Sequence, residues 1–205
     1  MSNNYWGERA ATTQAKLTEK SVKQTEKQLI KYYTKSMEKV LGQFEETYNK
    51  LLSTIAEGKT ATPADLYKLD KYWMLQNQLK EELTKLGDKQ AALLSKQFTT
   101  QWLEIYNALA IPDATGFYNK ADTALAQQMI NQIWCADGKN WSSRIWDNTE
   151  KLQQALNDNL IECVVNGRKT TDLKNLLQKE FEVSYTRADG LVRTEMAHIQ
   201  TQAAT

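Results

Sequence analysis

With two prolines and eight glycines in 205 residues, the chain has few places to turn, and long uninterrupted helices follow. Its one histidine, His198, and two cysteines, Cys135 and Cys163, make neither a zinc site nor a disulfide framework. Both cysteines lie in apolar helical patterns and read as buried free thiols, which suits a reducing compartment. No apolar run approaches the eighteen or so residues of a membrane span. The opening, MSNNYWGERAATT, has no basic stretch followed by an apolar one, so no signal peptide is expected. No period-two alternation is long enough for a strand. A formal charge of +1 selects no partner. These absences predict a soluble all-α protein made in a cytoplasm, with no cofactor and no membrane partner.

What is present is helical periodicity. Residues 8–57 hold no proline and one interior glycine, Gly42. Ile30, Met37, Phe44 and Leu51 step by seven, as do Leu41, Tyr48 and Ile55. Interleaved, they predict a coiled-coil-like seam on one helix about 75 Å long. A second stripe on that helix is basic: Lys16, Lys20, Lys23, Lys27, Lys31, Lys35 and Lys39. It extends for about 35 Å. Residues 1–60 carry ten Lys/Arg against seven Asp/Glu, so any basic surface belongs to this region. The stripe is either a solvated face, partly neutralised by Glu19, Glu26 and Glu38, or a ridge for DNA phosphates or an acidic partner.

Further helices are predicted downstream. Thr62-Pro63 opens the second, with Leu66, Leu69, Trp73, Leu75, Leu79, Leu83 and Leu86, and Gly87-Asp88 marks a stop or kink. A third runs to Leu109, and a fourth carries Phe117, Ala121, Leu125, Met129, Ile133 and Trp134 on one side. Asp137-Gly138 supplies a turn, Ser142 or Ser143 caps the fifth helix, and Gly167 ends it. Thr170 or Thr171 opens the sixth, and Ser184 opens a last one. Short connections favour an elongated bundle of antiparallel neighbours. Met37, Met74 and Met129 read as core filler.

No strong catalytic motif is present. Arg193, Glu195 and His198 fall within six residues of one helix, and Glu195 stands three from His198. They are either a catalytic trio or polar residues pairing with neighbouring helices. Trp134, Trp141 and Trp146 are either a ligand box or packing anchors, with Arg144 stacking on a ring or pairing with Asp147.

Three stretches, DGKNWSSRIWDNTEKLQQAL (137–156), NGRKTTDLKNLLQKEFEVS (166–184) and ADGLVRTEMAHIQTQA (188–203), are similar in order and spacing to the bacteriophage head morphogenesis family, the Mu F-like minor head (minor capsid) proteins. The positions that carry the resemblance are Gly138, Trp141, Arg144, Ile145, Trp146, Leu152, Leu156, Gly167, Leu173, Leu177, Phe181, Leu191, Val192, Arg193, Thr194 and Glu195. YWGER at Tyr5–Arg9 resembles the family's opening. The resemblance implies a low-copy, non-enzymatic head component that associates with the phage portal, enters the procapsid and, in some members, binds double-stranded DNA. It places the protein in the host cytoplasm during assembly and then inside the virion. It divides the chain into a long helical region, 1–110, and a Mu F-like helical domain, 111–205. Family members continue into a Cys/His-containing segment, so the resemblance also implies an N-terminal portion of a longer protein. The alternative it leaves is the delivery module of a phage-encoded toxin or enzyme whose effector lies elsewhere.

Overall fold

The computed structural model describes residues 3–55, 62–67, 70–109 and 122–204. The expected all-α class is what folds: among the described residues there are six helices and no strand. They are α1 (Asn3–Ile55), α2 (Pro63–Tyr67), α3 (Asp70–Leu109), α4 (Thr123–Ile130), α5 (Trp141–Val165) and α6 (Thr170–Gln202). Among the described residues no helix is long and apolar enough to cross a membrane.

The chain forms two compact units, each assembled from separated stretches. Unit 1 takes Met1–Leu29, Gln90–Arg144 and Asp189–Thr205, and unit 2 takes Ile30–Lys89 and Ile145–Ala188. The long helices α1, α3 and α6 thus each serve both units. The boundary at residue 110 rests on the family motif and follows neither unit.

Unit 2 has an apolar core. Val40, Phe44, Tyr48 and Leu51 of α1 are buried with Leu75, Leu79 and Leu83 of α3, Leu152, Leu156 and Leu160 of α5, and Leu173, Leu177 and Phe181 of α6. At about 1.5–3 kcal/mol for each fully buried large side chain, this set dominates the favourable side of folding in the unit. Part of its polar content forms one node. Asn148 Nδ2 donates to the Tyr33 hydroxyl (3.1 Å) and to the Ser184 carbonyl (2.9 Å), and the two hydroxyls lie 3.2 Å apart. Glu82 is buried too and pairs with Lys39.

The seam of α1 keeps Phe44, Tyr48 and Leu51 of the seven-step pattern and departs from it before them. Among its described side chains the buried positions are Ser21, Thr25, Leu29, Tyr33, Ser36, Val40, Phe44, Tyr48 and Leu51. Those steps of four and three take in hydroxyl residues that an apolar count passes over. Ile30, assigned to the seam by the sevens, is 50% exposed.

Several predicted boundaries also move. Gly87-Asp88 neither stops nor kinks a helix, because α3 runs through it. The glycine serves close packing instead: a Cβ there would stand 2.6 Å from Cζ3 of Trp146. Ser184 opens nothing, since α6 is continuous and the serine is its buried link to Tyr33 and Asn148. The fourth helix is short. Asp122 caps it by accepting from Leu125 N–H at 2.7 Å, and Ile133, Trp134 and Cys135 lie beyond its end, with Cys135 only half-buried. Phe117 and Ala121 lie outside the described residues. Met74 is 61% exposed and fills no core. Gly167 does end α5, at φ +59°. There Arg168 N–H reaches the Cys163 carbonyl (2.9 Å) and Gly167 N–H reaches that of Val164 (3.2 Å), a Schellman closure. From α1 the Tyr48 hydroxyl pins it, donating toward the carbonyls of Cys163 (3.0 Å) and Arg168 (2.7 Å), and burial pushes that phenol up to about 12.

Candidate functional site

The sequence-predicted site residues fall mainly on two features: in unit 1 the turn at 135–140 with the helix facing it, and the exposed face of α1. On that face Lys16, Lys20, Lys23 and Lys27 belong to unit 1 and Lys31, Lys35 and Lys39 to unit 2, as do Trp146, Gly167 and Phe181 elsewhere in the chain.

The turn is built from its glycine outward. Gly138, at φ +70°, takes a left-handed conformation and bonds back to the Cys135 carbonyl (3.2 Å). Asp137 accepts from Lys139 N–H and receives both bonds of the Arg144 guanidinium, at 2.9 and 2.8 Å. Arg144 therefore clamps the turn to the first coil of α5, and Asp147 is not the partner of that clamp. The N-cap of α5 is Asn140, whose Oδ1 accepts from Ser143 N–H at 2.9 Å. Ser142 and Ser143 lie within the helix.

Against this turn stands Glu195 of α6, 3% exposed. Trp134 Nε1–H donates to its Oε2 at 3.1 Å, and the same indole stacks on His198, with ring centres 4.3 Å apart and planes 14° apart. One tryptophan thus joins the two titratable groups. Burial raises the Glu195 carboxyl above the ordinary carboxylate range, while the indole bond and the charge of Arg144 pull it down. Burial also lowers the His198 imidazole below its ordinary value.

The trio does not converge. Arg193 points elsewhere, pairing with Glu26 of α1 and with Asp189 one turn back (3.0 Å). Thr194 returns its hydroxyl to the Gly190 carbonyl (2.9 Å). The three tryptophans have three separate partners: Trp134 has His198, Trp141 meets Phe98 edge-on at 5.6 Å, and Trp146 covers Gly87. The motif positions thus have architectural work. Gly138 and Gly167 turn the chain, Arg144 and Arg193 clamp it, Trp141 and Phe181 are buried, and Glu195 holds Trp134. The Trp134–Glu195 bond was hidden in the sequence because 61 residues separate its ends. Among the described residues no group of His, Cys, Asp and Glu could hold a metal ion.

The lysine stripe is at the surface: Lys16, Lys20, Lys23, Lys27, Lys31, Lys35 and Lys39 are all exposed. Around Lys16 to Lys27 it lies opposite the buried Ser21 and Thr25, as the 3.6-residue turn requires. Lys23 pairs with Glu19 at 2.6 Å, and Lys39 turns inward to Glu82. Among the described residues Lys16, Lys20, Lys27, Lys31 and Lys35 form no ion pair. Lys16, Lys20, Lys23 and Lys27, with Glu19 and Gln24, line a surface depression of about 410 Å³.

No family model, curated protein or solved structure matches the chain.

Proposed function

We propose that the chain is a minor phage head protein, non-enzymatic, that associates with the portal during procapsid assembly and touches packaged double-stranded DNA through α1. The observation that carries this reading is the architectural use of the family-motif positions. Gly138, Arg144, Gly167, Arg193 and Glu195 hold turns and helices together, as expected of a motif that marks a structural protein. The unpaired lysines of α1 support DNA contact, because phosphate neutralisation needs exposed cations and little else. Exposed Tyr67, Trp73 and Met74 in unit 2 give a helical or portal partner apolar surface to cover.

Co-purification with a portal oligomer of the same phage, at low salt and with the full-length protein, is the test. Stable association is expected, and its absence counts against the proposal. DNA contact is measured separately. Affinity should fall steeply with salt, and replacing Lys23, Lys27 and Lys31 by Gln should flatten the logarithmic slope by about three. An unchanged slope removes the ridge from the account.

A further inference from the structure

Unit 2 has an apolar groove of about 280 Å³ between α1 and α6 that the proposed function does not use. Its floor is Tyr33 and Phe181, both buried, and its walls include Ile30, Met37 and Tyr185. Tyr33 and Tyr185 meet edge to face at 5.6 Å, which fixes the shape of the groove. Ile30 is half exposed on its lip.

Ile30 and Met37 are the first half of the seven-step series. The second half, Phe44 and Leu51, is buried inside unit 2. The helix therefore presents Ile30 half exposed and Met37 partly exposed at coiled-coil spacing, and such spacing fits another helix.

Glu182 of α6 lines the groove and is exposed, and the charges on the α1 lip select which helix. Thr34 lines the groove, and Lys31 and Glu38 stand three residues before and four after it, on the same ridge. Both are exposed, and among the described residues neither forms an ion pair. A ridge that runs from basic to acidic is complementary to itself when reversed. Two α1 helices placed antiparallel about a two-fold axis near Thr34 bring each Lys31 to the other copy's Glu38. A helix of unrelated sequence has no reason to mirror that order.

We propose that this groove seats α1 of a second copy of the chain, antiparallel, with each Ile30 entering the groove of the other copy. The contact does not depend on the phage reading, and its failure leaves the portal test untouched.

Sedimentation velocity on the 205-residue chain over a wide concentration range decides it. A reversible monomer–dimer equilibrium is expected. Ile30→Asp should weaken the dimer about a hundredfold, with helicity and melting temperature held because the side chain is half exposed. Lys31→Glu should weaken it about tenfold, and Lys31→Glu combined with Glu38→Lys should restore it. A monomer at every concentration overturns the proposal. So does a dimer indifferent to Ile30→Asp, or one in which the double charge swap is no better than the single change. A chain that stays monomeric and binds only a helix of another protein through this groove overturns it as well.

Discussion

The two ends of α1 are built from different chemistry. Among the described residues it buries Tyr33, Ser36, Val40, Phe44, Tyr48 and Leu51 in unit 2, and Ser21, Thr25 and Leu29 in unit 1. On α3, unit 2 buries Leu75, Leu79, Leu83 and Leu86 with Glu82, while unit 1 buries Gln90, Thr99 and Gln101 beside Leu94, Phe98, Trp102 and Ile105. Gln101 donates to the Thr18 hydroxyl at 3.1 Å, but its Oε1 and the Nε1 groups of Trp102 and Trp141 have no hydrogen-bond partner among the described residues, as is also true of Ser36 Oγ and Asn148 Oδ1 in unit 2. Each such buried group costs about 1–3 kcal/mol if it stays dry. Among the described residues the buried face of α1 is thus mostly hydrocarbon in unit 2 and mostly small hydroxyl residues in unit 1. Much of the lysine ridge belongs to the polar end, from Lys16 to Lys27. The lesson is that a regular helix does not imply uniform stability along its length.

The largest effect should separate the two cores. Leu79→Ala empties a fully buried site in unit 2 and should cost about 2–5 kcal/mol in denaturant unfolding. Thr25→Val in unit 1 should change stability by less than about 1 kcal/mol, since among the described residues the hydroxyl bonds to the Ser21 carbonyl of its own helix. Equal losses at both sites would break the comparison. Next is Tyr48→Phe. It leaves the closure of α5 short of one buried donor and should cost about 1–3 kcal/mol. A smaller effect tests why Gly87 is a glycine. Gly87→Ala should destabilise by about 1 kcal/mol with Trp146 in place and stabilise by a similar amount in a Trp146→Ala background, where helix propensity acts alone.

The smallest effects belong to the polar cluster of unit 1, and their signs differ. The lowered His198 value favours the neutral imidazole in the folded chain. Its contribution is therefore present above the ordinary 6.5 and is lost as pH falls through the folded value. The raised Glu195 value favours the protonated carboxyl. Its cost is therefore absent below the ordinary 4.5 and grows as pH rises through the folded value. Glu195→Gln should exceed the wild type in stability at neutral pH and lose that advantage in acid. An NMR titration should place the His198 midpoint below 6.5. A midpoint above it would mean that the stack on Trp134 favours the imidazolium.

The helical class, the end of α5 at Gly167 and the turn at Asp137-Gly138 were legible in the sequence, because each depends on local backbone chemistry. The register of α1 was not. Ser21, Thr25 and Ser36 are buried without being apolar, so a hydrophobic count slid to Ile30. Gly87 and Ser184 were misread for one reason: both have the look of local punctuation, and both answer to a distant residue, Trp146 for one and Tyr33 with Asn148 for the other. Among the candidate site residues, spacing on α6 brought Arg193, Glu195 and His198 together on paper. Partners outside that helix separated them, Glu26 taking one and Trp134 the other two.

Amide hydrogen exchange along α1, read residue by residue, tests most directly whether one helix has a fixed end and a releasable one. Residues 21–29 should open at clearly lower free energy than residues 40–51, with the latter approaching the global unfolding limit. Uniform protection from Ser21 to Leu51, or slower exchange at the polar end, would contradict it.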